Sequence, residues 1–318
     1  MADININKIY TSKKAPSELL PPRDSEGHKG KFGKVLLIAG SRNMAGAAIL
    51  AARSAYRTGA GMVKVISPEC NRVIIQIAIP EALYMPSESS EEEWIKAFEW
   101  CDCIGIGSGL GTDENACESL KKALTLTDKP ILIDADGLNI LNEVIGNINV
   151  EDRDIVMTPH MGELNRLVKS FEAQNEASKQ SGFAISEGKA LEQLNIAATE
   201  GKSLKQIYSA AFVSEHYKSV LVAKSADTYV VDACKRYSDG EVFKNDRGNS
   251  GMATAGSGDV LAGCIVALMG QGMNPYEAAC AGVQLHALAG DRAALYKSEA
   301  WIMAGDICDN IGLNINNA

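Results

Sequence analysis

The chain has 318 residues, 46% of them hydrophobic and 22% charged, a balance that excludes a disordered, collagen-like or coiled-coil chain. Its 40 acidic and 31 basic residues leave a net charge of −9, which argues against nucleic acid as a general partner. No apolar run reaches the roughly 18–20 residues that span a bilayer, no signal-peptide core opens the chain, and its eight scattered cysteines form no CxxC pair, so we expect a cytoplasmic protein with reduced thiols and no membrane contact.

Taken in order, short β-branched runs predict strands at Lys34–Ala39, Met62–Ser67, Cys103–Gly107, Ile131–Asp134, Ile155–Met157, Ser219–Ala223 and Thr228–Asp232. Between most of them lies room for one helix, at Met44–Thr58, Glu91–Trp100, Asn115–Thr125 and Gly162–Val168. This alternation predicts a layered α/β fold with a mainly parallel central sheet and helices on both faces. Only Lys224–Asp227 separates the last two strands, a hairpin spacing that predicts an antiparallel part. A polar loop follows Asp232, and then helices at Asp259–Met269 and Pro275–Tyr296. Residues 169–216 are rich in Glu, Gln, Ser, Lys and Ala, and read as a helical, insertion-like segment, either a solvated connection or a lid. No linker divides the chain, so one domain over 1–318 is expected.

The strongest local signal is Asn249–Gly270, a glycine-rich stretch running into an apolar helix. Gly256, Ser257 and Gly258 carry no bulky side chains, so their N–H groups can converge on an anion at the positive end of the helix dipole. Asp259, at the helix start, reads either as an N-cap or as a general base beside a bound phosphoryl group. The loop is not a Walker A motif, because Ser257-Gly258 stands where Lys-Ser/Thr belongs. Gly105–Gly111 and Gly40–Gly46 are two further glycine turns that leave strands and enter helices. Three such turns fit one crevice above a parallel sheet. Two more strand ends carry polar residues, Asp134–Asn139 and Thr158–Glu163; His160 there reads as a ligand contact or a structural histidine. Lys224 ends an apolar strand, where it needs an anionic partner, a nucleotide phosphate or a carboxylate.

Together HKGKFGKVLLIAGS (His28–Ser41), GAAILAARSAYRTGAG (Gly46–Gly61), GSGLG (Gly107–Gly111), DADGLN (Asp134–Asn139), TPHMGE (Thr158–Glu163) and GMATAGSGDVLAG (Gly251–Gly263) resemble the NAD(P)H-hydrate dehydratases of the ribokinase-like superfamily. The resemblance implies phosphorylation of hydrated NADH or NADPH (NADHX, NADPHX) by ADP or ATP with Mg2+, followed by loss of phosphate. It carries substrate contacts onto Ala47, Gly109, His160 and Asp259, with Asp259 the catalytic base. It carries nucleotide contacts onto Lys224, Ser225, Ala226, Asp227, Thr228, Gly256, Ser257 and Gly258. Glu163 matches the superfamily's acidic residue near magnesium, acting through water. Homotetrameric assembly is implied as well. Since only about 30 residues precede the first strand, the epimerase domain often fused ahead of this one is expected to be a separate protein. One departure stands out: Ser225 follows Lys224 where the family usually has glycine, an unfavourable residue if that position needs positive φ. The other readings of the same residues are a small-molecule kinase of this fold and a nucleotide-binding sensor without turnover.

Overall fold

Valine-, isoleucine- and leucine-rich runs line up as a ten-stranded sheet ordered β1-β10-β9-β8-β7-β6-β5-β2-β3-β4. The computed structural model describes residues 8–12, 16–146, 148–180 and 201–313. The strands are β1 (Ile9–Tyr10), β2 (Lys34–Ile38), β3 (Met62–Ser67), β4 (Leu83–Pro86), β5 (Cys103–Ile106), β6 (Ile131–Ile133), β7 (Ile155–Met157), β8 (Val220–Ala223), β9 (Tyr229–Val231) and β10 (Val242–Lys244). The helices are α1 (Ala45–Arg57), α2 (Arg72–Ala78), α3 (Glu91–Trp100), α4 (Glu114–Thr125), α5 (Asp136–Ile145), α6 (Met161–Gln180), α7 (Lys202–Tyr217), α8 (Ser257–Gly270), α9 (Pro275–Lys297) and α10 (Ala304–Asn310). The central strands pair in parallel, and β9 is antiparallel to β8, as the hairpin spacing predicts, and to β10 as well.

Alternation along each strand feeds two cores. Leu36 and Ile38 face a layer with Trp94, Phe98, Leu120 and Phe171, while Val35 and Leu37 face one with Ala51, Leu261, Ile265 and Ala279. The small residues of α1 let it lie directly on α8. A Cβ on Gly263 of α8 would stand 2.2 Å from the Ala51 carbonyl oxygen, and Ser54 Oγ donates to the Val260 carbonyl at 2.5 Å. α8 is apolar all round because α1, α9 and the sheet cover it.

Three expectations are corrected. The polar stretch after Asp232 is not all loop, since Val242–Lys244 forms β10 and pairs with β9 and β1. The helix after β7 runs through Gln180 instead of ending at Val168. Residues 202–217 are no solvated connection: Ile207, Ala210, Phe212, Val213 and Tyr217 of α7 are buried against the sheet. The middle of that insertion-like segment, 181–200, lies outside the described residues. No helix among the described residues is long and apolar enough to cross a membrane, and all eight cysteines are free thiols.

Candidate functional site

The strand order reverses between β2 and β5, so the turns after their carboxyl ends splay apart and leave a crevice. The Gly40 N–H donates to the Ser108 carbonyl at 2.8 Å across it. Gly109 has φ +60, and a Cβ there would lie 2.7 Å from Ala47 Cβ and 2.9 Å from Met44 Cβ. The structure therefore brings Ala47 and Gly109 into direct contact, and Gly109 must be glycine for both space and conformation. A cavity of about 410 Å3 adjoins this rim, bordered by Gly40, Ser41, Arg42, Leu110 and Lys122.

The turn after β6 supplies the charged centre. Asp134 is 2% exposed, and its Oδ1 accepts from Lys224 Nζ at 2.7 Å and Thr158 Oγ1 at 2.6 Å. The partner that a lysine at the end of an apolar strand needs is thus a carboxylate. Ala135 follows with φ 47° and ψ −117°, a conformation costly for a residue with a Cβ. Asp136 then turns away, and its Oδ2 accepts from the Gly111 N–H at 2.9 Å. One strained residue separates two carboxylates with different tasks.

Asp259 sits in the first turn of α8. Burial, reinforced by the Asp134 charge, pushes its carboxyl up to about 6, while a hydrogen bond to Ser108 and the Lys224 charge pull the other way. Such a carboxylate is ionised at neutral pH, yet basic enough to take a proton. The capping role is excluded: Gly256 is the N-cap, with φ 88°, and no side chain caps the helix. The Ser257 N–H donates to the Thr254 carbonyl at 3.3 Å, while those of Gly258 and Asp259 stay available to an anion. A Cβ on Gly256 would meet Leu50 Cδ1 at 2.4 Å, and one on Gly258 would stand 3.5 Å from Lys224 Nζ. Lysine, glycine turn and Asp259 thus share one small region. Ser257 Oγ lies 3.2 Å from Nε2 of His286, whose pKa burial lowers to about 4, leaving it neutral at physiological pH.

His160 and Glu163 form the neighbouring rim at the start of α6. The His160 N–H donates to Glu163 Oε2 at 2.8 Å, and His160 Nδ1 accepts from the Gly162 N–H at 2.9 Å. Nε2, 3.2 Å from Glu163 Oε1, therefore carries the proton of the neutral ring. Glu163 is buried, whereas the His160 side chain is 55% exposed. An isolated bridge joins His160 to Lys224, so the strand-end turns meet side by side.

In the turn between β8 and β9, Ser225 does not have positive φ, so the feared strain is absent. Its Oγ lies 3.1 Å from Gln206 Oε1 and 2.6 Å from the Asp227 carbonyl oxygen. Gln206 in turn donates to the Ala223 carbonyl at 2.9 Å. Thr228 Oγ1 donates to the Ser225 carbonyl at 3.2 Å, Asp227 pairs with Lys244 at 2.9 Å, and Ala226 is exposed at the tip. Serine thus closes the turn with its side chain. Asp134, Gln206 and His286 carry no predicted role. Asp134 stands in the DADGLN motif and was discoverable there, but Gln206, on a helix far along the chain, gives no local signal.

Residues 35–311 match the NAD(P)H-hydrate dehydratase family, and the chain belongs to it. An ADP-dependent (S)-NAD(P)H-hydrate dehydratase of Neisseria meningitidis is 33% identical over 91% of this chain and 86% of its own length. A ribokinase-like superfamily protein of Enterococcus faecalis superposes with a TM-score of 0.76 at 27% identity, covering 97% of this chain and 95% of that one. The ADP/ATP-dependent NAD(P)H-hydrate dehydratase of Bacillus subtilis, crystallised with ATP and Mg2+, gives 0.70 at 26% identity, over 96% and 97%. The chain spans about half the length of the bifunctional NAD(P)H-hydrate repair enzymes it also matches.

Proposed function

We propose that this chain restores NADH and NADPH from their hydrates, with ADP, or ATP, as phosphoryl donor. The observation that carries the reading is Asp259, a partly buried carboxylate pushed up to about 6 beside an uncapped glycine turn at a helix start. Asp259 takes the proton of the ring hydroxyl as that oxygen bonds to the donor's terminal phosphorus. The bond to the departing nucleotide breaks, giving AMP from ADP or ADP from ATP. Phosphate then leaves the ring with both electrons of the C–O bond. A proton passes from the adjacent ring carbon to solvent, and the electrons of that C–H bond restore the ring double bond. Hydroxide is a poor leaving group and phosphate a good one, which is why a nucleotide is consumed.

The N–H groups of Gly256 and Gly258, on either side of Ser257, receive the developing charge on the transferred group. Lys224 is placed to turn from Asp134 to a phosphate, while Ser225–Thr228 hold the nucleotide by the turn described above. Ala47, Gly109 and His160 line the substrate side, and the adjoining cavity offers room for the rest of the dinucleotide. Magnesium, when bound, neutralises phosphate charge. The described residues hold no cluster of three metal-ligating side chains, and magnesium needs none, since one or two carboxylates, waters and its nucleotide usually hold it. Both Glu163 oxygens already face His160, which suits contact with the ion through water. We place the reaction in the cytoplasm, in a single-domain homotetramer, with a separate epimerase supplying the (S) hydrate.

Absorbance at the reduced-nicotinamide band tests this. Purified protein, magnesium, NADHX and either nucleotide should restore the band, and Asp259→Asn should not. Nucleotide binding without recovery by either donor would reject the assignment in favour of a kinase or a sensor.

A further inference from the structure

The stretch from Gly248 to Gly256 reaches α8 across the flank of α9, and α9 holds it at both ends. We propose that Asp291 is a positioning residue for the phosphoryl-binding turn, fixing the preceding loop so that Gly256–Gly258 are set before a nucleotide arrives. This rests on the phosphoryl-transfer reading above.

Asp291 Oδ2 accepts from the Gly248 N–H at 3.0 Å, and its Oδ1 accepts from Asn249 Nδ2 at 2.9 Å. That second bond fixes the orientation of the Asn249 amide. Asn249 Oδ1 then accepts from the Gly251 N–H at 3.0 Å and caps the short 3-10 turn Ser250–Met252. Next to Asp291 on α9, Gly290 leaves space for Met252, whose Sδ would lie 2.4 Å from a Cβ there. One turn earlier, His286 Nε2 meets Ser257 Oγ at 3.2 Å. One face of α9 thus touches the loop at 248, 249 and 252 and the first residue of α8 at 257. From the other side the Glu299 carbonyl oxygen would lie 2.3 Å from a Cβ on Gly251. Held between these points, the loop has little slack, and a preset turn spends no binding energy on ordering.

The test titrates ADP and ATP calorimetrically into the full chain and measures kinetics with NADHX, for Asp291→Ala, Asn249→Ala and the double variant. Asp309→Ala, which removes only a surface pair with Arg53 and Arg57, is the control. Asp291→Ala should raise the nucleotide Kd about tenfold, the scale of one lost charge-assisted hydrogen bond, with KM for NADHX within about twofold of wild type. The double variant should bind no worse than Asp291→Ala, because Asn249 acts through the carboxylate. Three results overturn the proposal: an unchanged nucleotide Kd, additive losses, or equal losses for both substrates that follow a lowered Tm. Should Asp291→Ala not fold, Asp291→Asn carries the same test, since it keeps one acceptor and sets an amide against Asn249. The titration needs no turnover. Wild-type protein that binds nucleotide yet never restores NADH refutes the repair reading, and leaves the Asp291 effect to be judged on Kd.

Discussion

Replacing Asp259 with asparagine should make the protein more stable at neutral pH and inactive. The carboxyl moves from 3.8 to about 6 on folding, so the folded state holds its proton more tightly than the unfolded chain does. A raised acid of this kind favours the fold most below the unfolded value. That advantage is lost as pH rises from near 4 through about 6, after which the charged form is a constant penalty. At about 1.4 kcal/mol per pH unit, the penalty approaches about 3 kcal/mol. Asparagine keeps the shape and a hydrogen-bonding group but never ionises, so it should recover much of that. The expected gain in Tm at pH 7.5 is on the order of 5 °C. It should shrink steadily between pH 6 and pH 4. Denaturant unfolding of both proteins across this range is the assay, run beside turnover, which should fall by about 10²- to 10⁴-fold. Parallel stability curves from pH 4 to 7.5 would show that Asp259 pays no penalty for its charge, and the argument for a raised base would collapse.

Other substitutions probe the rest of the rim. Gly109→Ala drives a methyl group into Ala47 and Met44 at a positive φ; it should cost about 1–3 kcal/mol in stability and raise KM for the hydrate, read by unfolding and steady-state kinetics. Lys224→Met strands the buried Asp134 carboxylate and should destabilise the fold by about 3–5 kcal/mol, with weaker nucleotide binding; an unchanged Tm would mean that the ion pair contributes nothing. Ser225→Gly restores the residue usual in the family. It should bind nucleotide no better than wild type and lose about 1 kcal/mol, because the serine side chain closes the turn here; tighter binding in a titration would contradict that.

The sequence makes the central sheet legible because β5, β6, β7 and β8 are unbroken apolar runs and β2 is one after Lys34. It hides β4 and β10, which are short, hold a proline or a lysine, and take their identity from neighbouring strands. α5 is hidden as well, since its first residues, Asp136 and Gly137, look like loop chemistry. Gly109, Gly256 and Asp259 stand out because only a close backbone approach explains so many glycines at strand ends. The Asp134–Lys224 pair joins residues 90 positions apart, and the Gln206–Ser225 contact joins a helix to a turn; proximity of that kind is produced by the fold and leaves no spacing to read. The strain at Ala135 is invisible for the same reason.

The strand-end turns are bonded to one another along the rim: Gly40 to Ser108, Gly111 to Asp136, Thr158 to Asp134, and Lys224 to the Pro159 carbonyl. A rim tied together in this way loses its conformational freedom once, when the chain folds, and not again with each ligand. Its amide protons should therefore exchange with solvent only in openings that involve several turns together, instead of fraying one loop at a time. The heat-capacity change on binding should then report the surfaces that ligand and crevice hide from water, with little added from ordering of the protein.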